Sequence, residues 1–161
     1  GNTIAIAPSL SPIELTGAAL DVADSGGTTL IRSTVAGTQV AVRRVAGSGP
    51  VFSASRPVAF EDLSIFGGHG DMSGGGISAG ATTVTLTRCR VSDNWSNYFG
   101  GGILVSDAGT LTLTDSTVSD NATGALGLGG GIASDDASTI VLTGSTVSGN
   151  SAGDGGASSG R

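Results

Sequence analysis

The chain contains no lysine, one cysteine and one histidine, so it has few of the side chains that carry enzymatic chemistry. With so few bases, no nucleophile has an obvious partner to activate it. The single cysteine, Cys89, excludes an internal disulfide. The net charge of −6 argues against the phosphate backbone of a nucleic acid as a partner. No apolar stretch approaches the roughly 18 residues that would predict a membrane span.

Helical periodicity is also missing, because no stretch keeps a 3.6-residue apolar pattern over about ten or more residues. The chain instead repeats one segment, as VTLTRCRVSDN at 84–94, LTLTDSTVSDN at 111–121 and IVLTGSTVSGN at 140–150. Fainter copies lie at 30–37 and 58–68. Equivalent positions recur at steps of 30, 26, 27 and 29 residues, counted between Leu30, Phe60, Leu86, Leu113 and Leu142. Such a period predicts a solenoid, a propeller or an array.

Each copy alternates apolar and polar side chains, which is the pattern of a strand with one buried face. Leu111 and Leu113 alternate with threonines, and Asp115 then interrupts the pattern and resets it. We therefore predict two short strands that meet at a bend. A third strand is expected after each glycine run, with equivalent places filled by Ile77, Ile103 and Ile132. The predicted fold class is all-β, a single-stranded parallel β-helix of about five to six coils with three short strands each.

Stacked coils place like residues on one another, roughly 4.8 Å apart, so inward columns of apolar side chains should form the core. One predicted column contains Leu30, Phe60, Leu86, Leu113 and Leu142. A second contains Val35, Ile65, Val91, Val118 and Val147, and a third contains Val58, Val84, Leu111 and Ile140. A fourth contains Ser33, Leu63, Cys89, Ser116 and Ser145. Its position predicts that Cys89 is buried and inert, and a reactive or intermolecular thiol is the alternative.

Three asparagines, Asn94, Asn121 and Asn150, end the second strand of successive coils, and Gly68 holds that place one coil earlier. Asparagine adopts left-handed backbone more readily than most residues with a side chain, and its amide can bond along a stack. We therefore predict an asparagine ladder at this turn. Gly68 is expected to adopt the same left-handed backbone conformation.

The motifs GGGI and TLTLTxSTVSGN, with the opening segment NTIAIAPSLSPIELTG, resemble the right-handed β-helix repeats of bacterial secreted and surface proteins. These include polymorphic outer-membrane and autotransporter passenger proteins, and the resemblance covers almost the whole chain. It implies a right-handed, pectate-lyase-like coil, in line with the general bias of parallel crossovers. It also implies an extracellular or cell-surface protein whose signal segment is gone from this chain. It implies no activity, because the fold hosts enzymes, adhesins and inert stalks.

The whole chain is expected to be a single β-helix domain. Residues 1–25 would form the first coil and cap, 26–57 irregular coils, and 58–150 the regular coils. Residues 151–161 form a tail rich in glycine and serine that is expected to supply no strand. The tail would leave an unfinished edge, which either a partner would cover or a longer chain would continue.

No catalytic residue is assigned. Gly68-His69-Gly70 resembles the glycine-histidine-glycine element of polygalacturonases, which also need paired aspartates and a basic residue. Glu61-Asp62 lies one strand earlier and Asp135-Asp136 lies coils away, so this set is incomplete. We interpret His69 as a loop residue.

No cofactor is predicted, and calcium is the alternative. The segment GGHGD at 67–71 is one residue short of a repeated calcium-binding turn, and Asp93 and Asp120 stack at one turn. A solvated turn that limits aggregation explains the same carboxylates.

Trp95, Tyr98 and Phe99 are three of the six aromatic residues and fall in the loop after Asn94. This contact loop could stack on sugars or touch a protein, or it could fold back over its own base. Outward threonines form partial ladders that resemble flat ice-binding faces, although threonine is common on exposed strand faces.

The pattern favours a non-enzymatic, extracellular structural or adhesive β-helix, and enzymatic activity stays an open question. The alternatives are a polysaccharide lyase or hydrolase, and a carbohydrate-binding module that uses the contact loop. The expected partner is another copy, stacked through the open ends into a filament. A glycan or a cell surface is the alternative partner, and neither nucleic acid nor a membrane span is expected.

Overall fold

The structure is a computed structural model that describes residues 1–23, 26–135 and 137–153, together with the backbone of Ser158 and Ser159. Short strands dominate these residues, with one turn of 3-10 helix at Pro8–Leu10. In chain order the strands are β1 (Thr3–Ile6), β2 (Ile13–Leu15), β3 (Leu20–Val22), β4 (Thr29–Ser33), β5 (Val40–Arg44), β6 (Phe52–Ala54), β7 (Val58–Glu61), β8 (Leu63–Phe66), β9 (His69–Gly70), β10 (Ile77–Ala79), β11 (Thr83–Thr87), β12 (Arg90–Ser92), β13 (Trp95–Ser96), β14 (Ile103–Val105), β15 (Thr110–Thr114), β16 (Thr117–Ser119), β17 (Ala122–Thr123), β18 (Ile132–Ser134), β19 (Thr139–Thr143), β20 (Thr146–Ser148) and β21 (Ser158–Ser159).

Three six-stranded sheets form the walls of the solenoid. Sheet A contains β1, β4, β7, β11, β15 and β19; sheet B contains β2, β5, β8, β12, β16 and β20; sheet C contains β3, β6, β10, β14, β18 and β21. Neighbouring strands run parallel and come from successive coils, so the chain winds through about five turns. The predicted all-β parallel solenoid, with three strands per coil, is confirmed.

A fourth, three-stranded sheet D contains the two-residue strands β9, β13 and β17. These strands directly follow the asparagine turn, between sheet B and the glycine run that leads into sheet C. Two residues are too few to show periodicity, so alternation could not predict these strands.

The register of sheet A agrees with the predicted repeat in the later coils. Val58 pairs with Val84, and that column continues through Leu111 to Ile140. The column of Phe60, Leu86, Leu113 and Leu142 is also in register, and its first three members are completely buried. Leu142 is 44% exposed because β19 is an edge strand of sheet A.

The first members of three predicted columns were wrong. Ile31, and not Leu30, pairs with Phe60, because two adjacent apolar residues leave the alternation ambiguous. Val42, and not Val35, pairs with Ile65, while Val35 is exposed in the loop between β4 and β5. For the same reason Val40, and not Ser33, pairs with Leu63.

Residues 26–57, expected to be irregular, supply one strand to each of the three large sheets as β4, β5 and β6. Their irregularity lies in the loops. The tail also differs from expectation, because Ser158 and Ser159 pair with Ile132 and Ala133 as β21. The remaining tail positions, 154–157 and 160–161, lie outside the described residues.

In the four later coils the bend between sheets A and B contains one residue with left-handed backbone. Asp62, Arg88, Asp115 and Gly144 occupy it in successive coils, with φ values of 54°, 52°, 49° and 59°. Arg88 donates two hydrogen bonds of 2.9 Å to the buried Asp62 carboxylate. This guanidinium holds the pKa of Asp62 below its ordinary value, against the opposing effect of burial.

Cys89 lies inside the solenoid, 2% exposed, in the column that continues through Ser116 and Ser145. Its Sγ lies 3.4 Å from the carbonyl oxygens of Phe60 and Thr87. The hydroxyl of Ser116 donates to the equivalent carbonyls of Leu86 and Thr114 at 3.3 and 2.8 Å. Burial raises the pKa of the Cys89 thiol to about 12, so the thiol is not nucleophilic at neutral pH.

We predict that C89S keeps the free energy of unfolding within about 1 kcal/mol of the parent, because serine can donate to the same two carbonyls. The parent should lose stability as the pH rises from 9.0 toward about 12, since only the unfolded thiol ionises in that range. C89S should lack this thiol-dependent slope. Urea unfolding at several pH values measures both effects, and thiol labelling of the native parent at pH 8 would contradict the account.

Candidate functional site

The asparagine ladder joins successive coils through side-chain amides. Asn94 Nδ2 donates to Asn121 Oδ1 at 3.0 Å, and Asn121 Nδ2 donates to Asn150 Oδ1 at 2.9 Å. Each Oδ1 also accepts the backbone N–H of the preceding coil's residue, at 2.9 Å for Gly68, 3.1 Å for Asn94 and 3.0 Å for Asn121. Asn94 and Asn121 are 2% and 0% exposed, so these bonds are inside the protein.

The predicted amide bonding along the stack is confirmed, but the predicted left-handed backbone at the asparagines is wrong. The left-handed residues are the ones before the ladder, namely Gly67, Asp93, Asp120 and Gly149, with φ values of 73°, 55°, 58° and 65°. The asparagines are therefore used for their side chains and not for backbone tolerance. Gly68 is required for a different reason, since a Cβ at that position would collide with the carbonyl oxygen of Gly75.

The glycine run packs directly against the ladder. A Cβ on Gly102 would lie 2.6 Å from the carbonyl oxygen of Gly131 and 2.9 Å from Nδ2 of Asn121. A Cβ on Gly76 would lie 2.7 Å from Gly102 O and 2.9 Å from Asn94 Nδ2. Glycine at these places lets one coil approach the next and leaves room for the amide.

The first coil leaves its end of the solenoid open instead of closing it. Ile4 is 51% exposed and Leu20 is 39% exposed. An apolar cavity of about 500 Å³ opens there, lined mainly by Ile4, Ile6, Ile13, Leu20, Val22 and Phe52. In the middle of the solenoid, the equivalent space is filled by side chains of the adjacent coil.

A buried arginine that the sequence did not single out ties the first two coils together. Arg44 is 4% exposed, and its guanidinium donates to the backbone carbonyls of Gly17, Ala46 and Pro50, the last at 2.7 Å. Arg43 and Arg44 are adjacent and face opposite sides of the sheet. Two adjacent arginines in a sequence do not indicate which of them is buried. Arg43 is paired on the outside with Glu14.

The aromatic contact loop is on the surface, beside sheet D. Trp95 is half-buried and makes an edge-to-face contact with His69, with ring centroids 4.4 Å apart and planes at 76°. Tyr98 and Phe99 are 40% and 37% exposed. The sequence placed His69 and Trp95 in loops, but they belong to β9 and β13 and stand directly opposite each other in sheet D. The loop therefore does not fold away into the core.

The candidate acidic residues do not gather at one site. Asp62 is buried and held by Arg88, whereas Asp120 is on the surface, 3.4 Å from Arg90. Asp135 accepts hydrogen bonds from Ser138 and from the backbone of Asp107, and the bond from Ser138 is the larger cause of its lowered pKa. Asp136 lies outside the described residues. In the part of the chain that is described, no three histidine, cysteine, aspartate or glutamate side chains gather as a metal site would need.

Among the described residues, no helix is long and apolar enough to cross a membrane. The parallel coils, the three long sheets and the asparagine ladder define a β-helix protein. A family model described as a right handed beta helix region matches residues 13–160, and the chain belongs to this family. The right-handed winding expected from the resemblance is thereby confirmed, while the bacterial secreted type stays a prediction. Neither a curated protein nor a solved structure matches the chain.

Proposed function

We propose that this β-helix is an extracellular structural or adhesive rod without catalytic activity, which lengthens when copies stack end to end. The location outside the cell rests on the sequence resemblance. The observation that carries the stacking is the exposure of matching apolar columns at both ends of one continuous solenoid.

Support from sheet A comes from its register. The inward column reads Ile4, Ile31, Phe60, Leu86, Leu113 and Leu142 through six consecutive strands. If the same register continued into a second copy, Leu142 would lie on the second copy's Ile4. Both side chains are about half exposed in the single chain, and their burial would stabilise the junction by about 1–2 kcal/mol each.

Sheet B supports the same arrangement. Val147 ends the column that contains Val118 and Val91, and Ile13 begins it at the other end. Both residues are only partly buried against the core. The edge strands β1 and β19 also have backbone N–H and C=O groups that one neighbour cannot satisfy, which makes them templates for pairing.

The experiment places one charged side chain at each end of the solenoid, in separate variants. L142E should block the β19 end and I4R the β1 end, so each variant alone should sediment as a monomer at concentrations where the parent forms longer species. Each blocked variant keeps one intact end, and the two intact ends are complementary. An equimolar mixture should therefore form dimers and stop there, because a head-to-tail contact is used only once.

V35E is the matched control, since Val35 is exposed on a lateral loop and the variant should associate like the parent. Sedimentation velocity would overturn stacking if the parent stayed monomeric throughout, or if each end variant alone associated as well as the parent does. The non-catalytic part is tested separately on polygalacturonate and neutral polysaccharides. Release of unsaturated or reducing ends would favour the lyase or hydrolase alternative.

A further inference from the structure

The strands of sheet D are followed by loops that carry exposed apolar side chains on three consecutive coils. Met72 is 68% exposed in the first loop, Tyr98 and Phe99 in the second are 40% and 37% exposed, and Leu126 in the third is 72% exposed. His69 and Trp95 stand at the base of the first two loops. We refer to the set of His69, Met72, Trp95, Tyr98, Phe99 and Leu126 as the aromatic ridge.

We propose that the aromatic ridge binds an uncharged glycan chain that runs along the axis of the β-helix. The inference rests on the adhesive part of the proposed function and is independent of end-to-end stacking. It names the ligand class and the residues that the adhesive role would use.

Hydrogen bonds between the loops hold the ridge in place. Ser96 Oγ donates to Ser73 O at 2.8 Å and accepts the N–H groups of Tyr98 and Phe99 at 3.3 and 3.2 Å. The N–H of Leu128 donates to Tyr98 O at 2.7 Å. The loop that carries the aromatic rings is therefore tied to the loops on both sides, so binding requires little ordering of the protein.

The side chains of the ridge match the two kinds of surface that a pyranose presents. Aromatic rings pack against the apolar C–H faces of a sugar, and tyrosine adds a hydroxyl at one end. Asn97 donates to the Asp71 carboxylate between the first two loops, which places an amide and a carboxylate beside the rings. These groups accept from and donate to sugar hydroxyls.

The charge of the aromatic ridge determines which class of glycan it favours. The segments 69–73, 95–99 and 122–128 contain no arginine, and Asp71 is their only charged residue. An acidic chain would meet a carboxylate without any compensating cation, so a neutral chain is preferred. The ridge also extends over only three coils, roughly 10 Å along the axis. That span suits two or three sugars, whereas a protein interface commonly buries about 800 Å² on each partner.

Trp95 is the only tryptophan, so its fluorescence reports directly on the ridge. We would titrate the monomeric L142E protein with cello-oligosaccharides, chito-oligosaccharides, laminarin and xylan, and with polygalacturonate as the acidic comparison. Using L142E separates this result from the stacking result. We expect a saturable change with at least one neutral glycan, and affinity at least tenfold weaker or undetectable for polygalacturonate.

Y98A and F99A should each weaken neutral glycan binding by about tenfold, with W95A tested by affinity electrophoresis because it removes the fluorophore. L10A is the control, since Leu10 is exposed far from the ridge in the first coil. Circular dichroism and thermal unfolding show whether each variant folds. The proposal is overturned if no neutral glycan binds, if polygalacturonate binds equally well, or if folded Y98A and F99A bind like L10A. Binding of a protein to the ridge without glycan binding would also overturn it.

Discussion

Replacing Asn121 with alanine should lower the free energy of unfolding by about 3–5 kcal/mol. Asn121 is completely buried, and its Oδ1 accepts from both the backbone and the side-chain nitrogen of Asn94. Its Nδ2 lies 3.0 Å from the carbonyl oxygens of Val91 and Ser119. Alanine would leave these groups without a partner in the dry interior, where an unsatisfied polar group is most costly.

N150A is the graded control, because Asn150 is only partly buried and has no ladder partner described beyond it. Its cost should be smaller, at about 1–2 kcal/mol. Urea denaturation followed by circular dichroism measures both variants. Equal losses for N121A and N150A, or a loss below 1 kcal/mol for N121A, would show that the ladder does not stabilise the stack as described.

The second large effect is expected for G102A, which should lose about 3 kcal/mol or fail to fold. The added Cβ would lie 2.6 Å from the Gly131 carbonyl oxygen of the next coil. The Cβ is bonded directly to the Gly102 backbone and the oxygen belongs to the Gly131 backbone, so neither can move without shifting a whole coil. The same Cβ would lie 2.9 Å from Nδ2 of Asn121, and the change would therefore disturb the ladder as well.

G17A is the matched control, because a Cβ on Gly17 meets no atom within 4 Å. The backbone of Gly17 is not left-handed, so alanine should be neutral or should stabilise the fold by up to about 1 kcal/mol. Thermal unfolding of the two variants decides the point. A folded G102A with the stability of G17A would mean that the glycine run does not set the spacing between coils.

Periodicity was enough to predict the sheets wherever the coils are nearly equal in length. The column from Val58 to Ile140 and the bend at Asp115 were both read correctly from alternation. The prediction was wrong where a loop changes length, as between β4 and β5. Alternation within one strand does not show how far an insertion shifts the register of the next strand. It was also ambiguous at Leu30 and Ile31, where two apolar residues are adjacent.

The candidate surfaces could be predicted from the sequence only in part. The pairing of His69 with Trp95 depends on a register between strands of only two residues, which no local pattern indicates. The contacts of the glycine run with Asn94 and Asn121 join residues that are distant in the chain, although the repeat itself shows that both motifs recur together. Open ends are a property of the stack as a whole. The sequence predicted an unfinished edge at the tail, whereas the open end at the first coil, which was expected to be a cap, became visible only as exposed Ile4 and as a cavity.

Negative-stain electron microscopy of the parent over a range of concentrations, combined with fibre diffraction, tests the central claim most directly. Stacking of continuous coils predicts unbranched fibres one β-helix wide, with a repeat of roughly 4.8 Å along the fibre axis. L142E should abolish the fibres and V35E should leave them unchanged. Discrete single particles at every concentration, or fibres that persist in L142E, would contradict a rod that grows through its two open ends.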